Sequence, residues 1–345
     1  MAEIFGTGVT VGVGIETTEG SGVQSQNLLD CRSYTVYGRD EKLYGQALRG
    51  RLARRALPGA SYVDGSLDFE LTPEGGTARL LYAAIGDITT TNVGAIYTHV
   101  MKPLGGSPRA ITLVQKTGDV QPVCGGCIID TMDITMALDD IVVGTATVGG
   151  HKEVIFASGA TTTAGGAAFD GNDPFVFTRA NVKLYGSTST DVDNVTINFA
   201  NNIMRKQALR DKRFSLKHLW GASAVTGSLS MYFSSDAEHK AFFGNASLSA
   251  PYQSADQADF VDLEFILRST LISGSDYRTL TIDFPKSQYD TLEAPVTSPD
   301  AIRQDLTFTA LVDGTSNEPT VTIINTDSGT LITGAGSAIS GWPAD

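Results

Sequence analysis

The chain is short of the residues from which disulfide scaffolds, membrane spans and nucleic-acid grips are built. It has 3 cysteines in 345 residues, too few for a disulfide framework, and folding in a reducing cytoplasm is the expectation. No run approaches the ~18 apolar residues of a membrane helix. The start, Met1-Ala2-Glu3-Ile4-Phe5-Gly6, lacks a basic n-region and an apolar h-region, so neither a secretory signal nor membrane association is expected. Basic residues are outnumbered: 25 Lys+Arg against 38 Asp+Glu leave a net charge of −13. Nucleic-acid grips work by neutralising phosphates, so a gripping protein is excluded, while one that lets DNA slide past is not. Aromatics make up 8%, with two Trp and no cluster of the kind a sugar-binding face needs. Charged residues, at 18%, fall below the usual ~25%, so the polar surface is built largely from Ser, Thr, Asn and Gly.

Long helical periodicity is also missing, and period-2 alternation stands in its place. Leu67, Phe69 and Leu71 alternate with Asp68 and Glu70. The same pattern recurs at Met132–Leu138, at Val195–Phe199, at Leu280–Phe284 and at Leu306–Ala310. Each reads as a strand with one buried and one solvated face, as in antiparallel sheets. Two short stretches read as helices, Thr77–Ala84 and Asp236–Phe243. The expected class is mainly β, in two tandem sandwich or barrel domains with one short helix each.

The tandem reading rests on a repeat. Val63-Asp64-Gly65-Ser66-Leu67 returns as Val225-Thr226-Gly227-Ser228-Leu229, each followed by a helix and then a glycine, Gly86 or Gly244. Ile134–Asp139 returns loosely as Phe308–Asp313. A basic segment precedes each Gly-Ser-Leu strand: Arg49, Arg51, Arg54 and Arg55 in the first half, and Arg205, Lys206, Arg210, Lys212 and Arg213 in the second. Between the halves, residues 157–167 carry no charge and no large apolar side chain, so this stretch is expected to order poorly and act as a pliable linker. The expected division is a first β domain with an N-terminal arm over 1–156 and a linker over 157–174. A second β domain over 175–326 and a C-terminal arm over 327–345 complete it. The arm, with Trp342 as its one aromatic, reads as docking on something or fraying.

Motifs with chemistry fail on context. Gly6-Thr7-Gly8 and Gly12-Val13-Gly14 have neither dinucleotide spacing, nor a following helix, nor a phosphate-loop Lys, and read as glycines of an edge strand or arm. Cys124-Gly125-Gly126-Cys127 stands just before a strand without a second ligand pair; Cys31, His99, His151, His218 and His239 are scattered, so buried thiols around a turn are expected. Asp170-Gly171-Asn172-Asp173 lacks the remaining ligands of a calcium loop and reads as a turn. The carboxylate pairs Asp68/Glu70 and Asp139/Asp140 sit on polar strand faces and are expected to be solvated or paired. No metal, cofactor or catalytic site is expected. The nine basic residues are the candidate inter-subunit contacts, each loop reaching an acidic face of the next subunit; a solvated loop is the alternative.

Several segments, taken in order, carry a likeness. They are Gly14-Ile15-Glu16-Thr17-Thr18-Glu19-Gly20, the strand Val63–Leu71 with its Glu74-Gly75 turn, and Gly126-Cys127 before Asp130–Leu138. Thr281–Lys286, Pro299–Gln304 leading into Leu306–Val312, and Val321–Asn325 complete the set. The ordered set over most of residues 10–326 resembles the tail tube proteins of long-tailed bacteriophages; Cys124 and the residues after Asp327 fall outside it. The resemblance implies a non-enzymatic virion protein, made in the host cytoplasm, whose β domains form stacked rings. It implies as partners the chain itself, tape-measure and tail-end proteins, and double-stranded DNA passing through an acidic lumen. With six domains to a ring, two per chain would give a trimer of pseudo-sixfold symmetry. The alternative is a virion decoration protein or carbohydrate-binding β-sandwich.

Overall fold

In the computed structural model, the described residues are 8–45, 55–103, 108–157, 159–165, 167–208, 212–215, 217–244, 260–296, 301–312 and 317–343. The first half opens with β1 (Thr10–Ile15), β2 (Asn27–Leu29), β3 (Cys31–Tyr34), β4 (Tyr37–Gly45) and β5 (Arg55–Glu70). Helix α1 (Gly76–Ile85) leads to a hairpin of β6 (Ile88–Val93) and β7 (Ile96–Met101). Then come β8 (Ile111–Lys116), β9 (Val120–Ala137), β10 (Val143–Gly150) and β11 (Lys152–Ala157). The second half has β12 (Ala180–Leu184), β13 (Ser187–Ser189), β14 (Val192–Ala200) and a ribbon of β15 (Ile203–Lys206) with β16 (Lys217–Trp220). It continues with β17 (Ala224–Tyr232), α2 (Ala237–Phe242) and β18 (Val261–Ser273). Last come β19 (Asp276–Glu293), β20 (Arg303–Ala310), β21 (Thr320–Asn325) and α3 (Gly329–Thr333).

The protein is mainly β, and the alternating runs read from the sequence fall in or along strands whose apolar residues enter the core, except that Leu138, read as the last core residue of its run, lies past the end of β9 and is exposed. Leu67, Phe69, Met132, Ile134, Ile197, Phe284, Leu306 and Phe308 are all buried in one hydrophobic cluster that runs through both halves. Two long strands hold the layers together. Residues 120–127 of β9 pair with β11 and β8, whereas residues 128–137 pair with β10 and β14. Gly126, with φ 65, stands at the change of layer. Strand β19 does the same, pairing first with β18 and β21 and then, from Ser287, with β20.

The ladder order recurs between halves. Strand β10 lies between β5 and β9, with β8 on the other part of β9; β20 lies between β17 and β19, with β18 on the other part of β19. Val63–Leu67 and Val225–Leu229 fall on β5 and β17, which hold the same place in the two ladders. Their shared glycine has a reason in each: a Cβ on Gly65 (φ 154) would run into the Thr35 carbonyl, and one on Gly227 into the Phe308 ring. The likeness of Ile134–Asp139 to Phe308–Asp313 does not survive, because β9 and β20 hold different places; Asp313 lies outside the described residues. Short alternating segments match one another whatever their ladder position.

Other expectations are corrected. The small-residue stretch after β11 is not loose: Ser25 N donates to the Thr162 carbonyl (2.9 Å), Ala164 N to the Ser25 carbonyl (2.8 Å) and Leu28 N to the Ala168 carbonyl (3.1 Å). Backbone bonds order it where side chains cannot. Strand β1 is not an edge, since β2 and β8 flank it. The Cys124–Cys127 motif lies inside β9 at a register shift rather than before a strand. The C-terminal segment forms a third helix and docks on its own chain. Buried Arg79 of α1 donates to Asn27 (2.5 Å), Gln26 (2.9 Å) and the carbonyls of Ile332 (3.3 Å) and Gly334 (3.2 Å). Trp342 stacks on Phe156 (6.4 Å between centroids) and donates its indole N–H to the Gly20 carbonyl (2.8 Å). No helix among the described residues is long and apolar enough to cross a membrane.

Candidate functional site

A continuous antiparallel ladder of eight strands spans both halves, in the order β3-β5-β10-β9-β14-β17-β20-β19. The β9–β14 ladder, from Asn194↔Ala137 to Ala200↔Thr131, joins the halves. Because side chains alternate across a pleated strand, the same sequences that fill the core set a second row outward. That row holds Asp64, Asp68, Glu70, Asp133, Asp290 and Asp305 among Ser, Thr and Asn. Hydroxyls and amides hold the carboxylates in place. Asp68 accepts from Ser33 (2.6 Å) and Thr145 (2.8 Å), and Asp133 from Asn198 (2.5 Å). Asp305 accepts from Ser230 (2.5 Å), and Asp290 from Thr309 (2.6 Å). Cations also reach this face: Arg32 binds Glu70 (3.2 Å), Arg303 binds Asp193 (2.7 Å), and Arg205 lines a depression with Asp64 and Asp130. The face is acidic and hydroxyl-lined, with Glu70 salt-bridged and Asp68 held by hydroxyls.

Both ends of this sheet are open. Among the described residues, β3 has β5 along one side and no strand along the other, and β19 beyond Ser287 has β20 alone. Open strand edges offer unpaired N–H and C=O groups to another chain.

A second acidic patch lies across β12, β18 and β19. Asp283 stands opposite Glu264, which in turn stands opposite and binds Lys183 (2.6 Å). Partial burial, with the Asp262 and Glu264 charges adding and Lys183 opposing, raises the Asp283 carboxyl to about 6. The folded state therefore holds this proton above the ordinary carboxylate range. Stability from this group is fully present at low pH and is lost as pH rises from about 4 through about 6. Asp283→Asn is expected to stabilise the protein at pH 7 by on the order of 1 kcal/mol, discounted for half-exposure. It should also remove part of the gain in melting temperature on going from pH 7 to 5, and equal pH profiles for variant and parent would refute this.

The predicted contact residues divide. Arg49, Arg51, Arg54 and Arg210 lie outside the described residues. Arg55 is exposed and opens β5, opposite Gly45 of β4 in the β4–β5 hairpin. That hairpin also exposes Leu43, Tyr44 and Leu57. Lys206 and Lys212 are exposed. Arg205 and Arg213 bind within the chain instead: Arg205 stacks on Tyr62 of β5 (3.5 Å to the centroid), and Arg213 binds the Gly59 carbonyl (2.9 Å) and Asp40 (3.1 Å). Both cations thus have partners on the β4–β5 hairpin of their own chain.

The rejected motifs settle into structural roles. Cys124 and Cys127 are buried, and burial pushes the Cys31 and Cys124 thiols up to about 12. Asp170 accepts from Glu74 N (2.8 Å) and Asn172 N (2.9 Å), as a turn does. His99 is bound by Thr90 (2.9 Å) and Asn325 (3.1 Å).

One cluster had no sequence signal. Glu19, His151 and His218, far apart in the chain, converge beneath the loop after β1. His151 Nε2 and His218 Nδ1 each lie 2.7 Å from Glu19 Oε1, which also accepts the His218 backbone N–H (2.8 Å). Burial alone would raise the Glu19 carboxyl, but these donors hold it at about 2. Beside it, buried Glu16 is raised by desolvation, against hydrogen bonds from Gly126, Thr112 and Gly20.

Compared with known proteins, residues 6–310 match the family described as phage tail tube protein. No curated protein matches the chain.

Proposed function

This chain belongs to the phage tail tube protein family, a structural component of a virion tail, and from that premise we propose that its eight-stranded sheet is one third of a ring wall around an acidic lumen. Three chains would join edge to edge, β3 of one against the end of β19 of the next, and so cover the open edges. The recurrence of the β5-β10-β9-β8 ladder as β17-β20-β19-β18 supports two copies of one β unit, over 1–156 and 175–326. Three chains then present six units in pseudo-sixfold array. Rings stack head to tail, a heterologous contact that propagates into a filament. A duplex bears one negative charge per about 1.7 Å, and a wall of like charge keeps it from adhering during ejection.

The acidic face between two open edges of one sheet is the observation that carries this reading. It displaces the decoration or sugar-binding alternative, which the family match does not support. Electron microscopy of the purified chain, with ring mass measured in parallel, is its test. Stacked rings of three chains are expected; a strictly monomeric protein at high concentration overturns the tube, and rings of six chains overturn the trimer.

The β4–β5 hairpin with its basic end is the proposed inter-ring contact. Replacing Arg49, Arg51, Arg54 and Arg55 with Ala should lower tube yield severalfold while leaving the melting temperature within a degree or two; Arg55 is exposed, and exposed charges contribute about 0–1 kcal/mol to folding. Parent assembly should also weaken as salt shortens the Debye length from about 10 Å to about 3 Å. Unchanged yield in the variant, with no salt dependence in the parent, refutes the contact.

A further inference from the structure

The convergence of Glu19, His151 and His218 is built from three distant parts of the chain. Glu19 comes from the loop after β1, His151 from the corner between β10 and β11, and His218 from β16. Both histidines are 2% exposed, and their rings lie 5.0 Å apart. Three donors converge on Glu19 Oε1 at 2.7, 2.7 and 2.8 Å, although a carboxylate oxygen offers two lone pairs. Among the described residues the far nitrogens, His151 Nδ1 and His218 Nε2, have no hydrogen-bond partner. No described group therefore holds the two rings in the tautomers that donate to Glu19, and each can turn a lone pair toward the point of convergence.

We propose that Glu19, His151 and His218 form a binding site for a divalent zinc-class ion. Two imidazoles and one carboxylate suit zinc, which takes nitrogen and oxygen ligands at about 2.0–2.2 Å in tetrahedral geometry. Calcium and magnesium demand oxygen-rich sets, and no thiol joins this group. Tetrahedral geometry at those bond lengths separates ligand atoms by about 3.3 Å, so side-chain shifts of roughly half an ångström open the present contacts around an ion. Water takes the fourth position. Glu19 borders an open surface groove with Thr18, Gly20, Ser21, Trp342 and Pro343, and this gives the ion a route from solvent.

The effect of such an ion is structural. It ties the N-terminal loop to the β10–β11 corner and to the β15–β16 ribbon, across 132 and 199 positions of sequence. An ion that binds only the folded chain stabilises it in proportion to the logarithm of its concentration over the dissociation constant.

The test uses the full chain freed of metal by chelator and then given zinc chloride alone. One equivalent of zinc, a melting temperature raised by several degrees, and an X-ray absorption spectrum with the signature of two imidazoles are expected. Glu19→Gln and His218→Asn should each weaken zinc binding at least tenfold, whereas His239→Asn, away from the site, should not. The absorption spectrum of the parent decides the matter even where a variant fails to fold. No zinc uptake, a spectrum without two imidazoles, or unchanged affinity in both folded site variants overturns the proposal.

Discussion

Tubes assembled from a chain carrying Asp64→Lys, Asp290→Lys and Asp305→Lys are expected to retain duplex DNA that tubes of the parent chain let pass. The three carboxylates are exposed on the outward face of the eight-stranded sheet, so their exchange costs folding little. Each exchange moves the charge by two units, taking the chain from −13 to −7 and giving the proposed wall three cations where it had three anions. Phosphate neutralisation releases counterions, so retention must fall steeply with salt. If about six phosphates are met, affinity should drop about a thousandfold between 50 and 200 mM salt. Filter binding of labelled duplex to purified tubes reads both quantities. Equal DNA retention by parent and variant tubes would remove this face from the lumen.

Phe308→Ala should be the most damaging single substitution for folding, at about 3–5 kcal/mol. Phe308 is fully buried, and its ring meets Phe284 and Phe265 at 5.6 and 6.5 Å between centroids, with those two 6.1 Å from each other. It also fills the space in front of Gly227, where the neighbouring strand carries no side chain. Removing the ring opens a cavity among three strands of the second ladder, and the rigid sheet cannot collapse into it. Phe308→Leu keeps most of the volume and should cost about 1.5 kcal/mol or less. Urea unfolding, followed by fluorescence and by circular dichroism, measures both. A loss below 1 kcal/mol for the alanine variant would mean that the aromatic cluster does not anchor this half.

The two expectations draw on opposite faces of one sheet, and the sequence alone went far toward both faces. Period-2 alternation is written by neighbouring residues on a pleated strand, so Leu67 with Asp68, or Leu306 with Asp305, already separates a core side from a solvent side. The glycine of Val-x-Gly-Ser-Leu marked β5 and β17, and composition set the sign of the charge. The order of the segments carried the family likeness. What the sequence could not determine is which strands meet. The β9–β14 ladder that merges the halves into one acidic face, the bending of β9 and β19 between layers, and the docking of Trp342 on the N-terminal loop leave no periodic trace. That Arg205 and Arg213 have Tyr62, Gly59 and Asp40 beside them is likewise unwritten in the local sequence. The same holds most sharply for Glu19, His151 and His218. Local backbone geometry is encoded within a few residues, whereas a site assembled across 132 and 199 positions exists only once packing has brought its parts together.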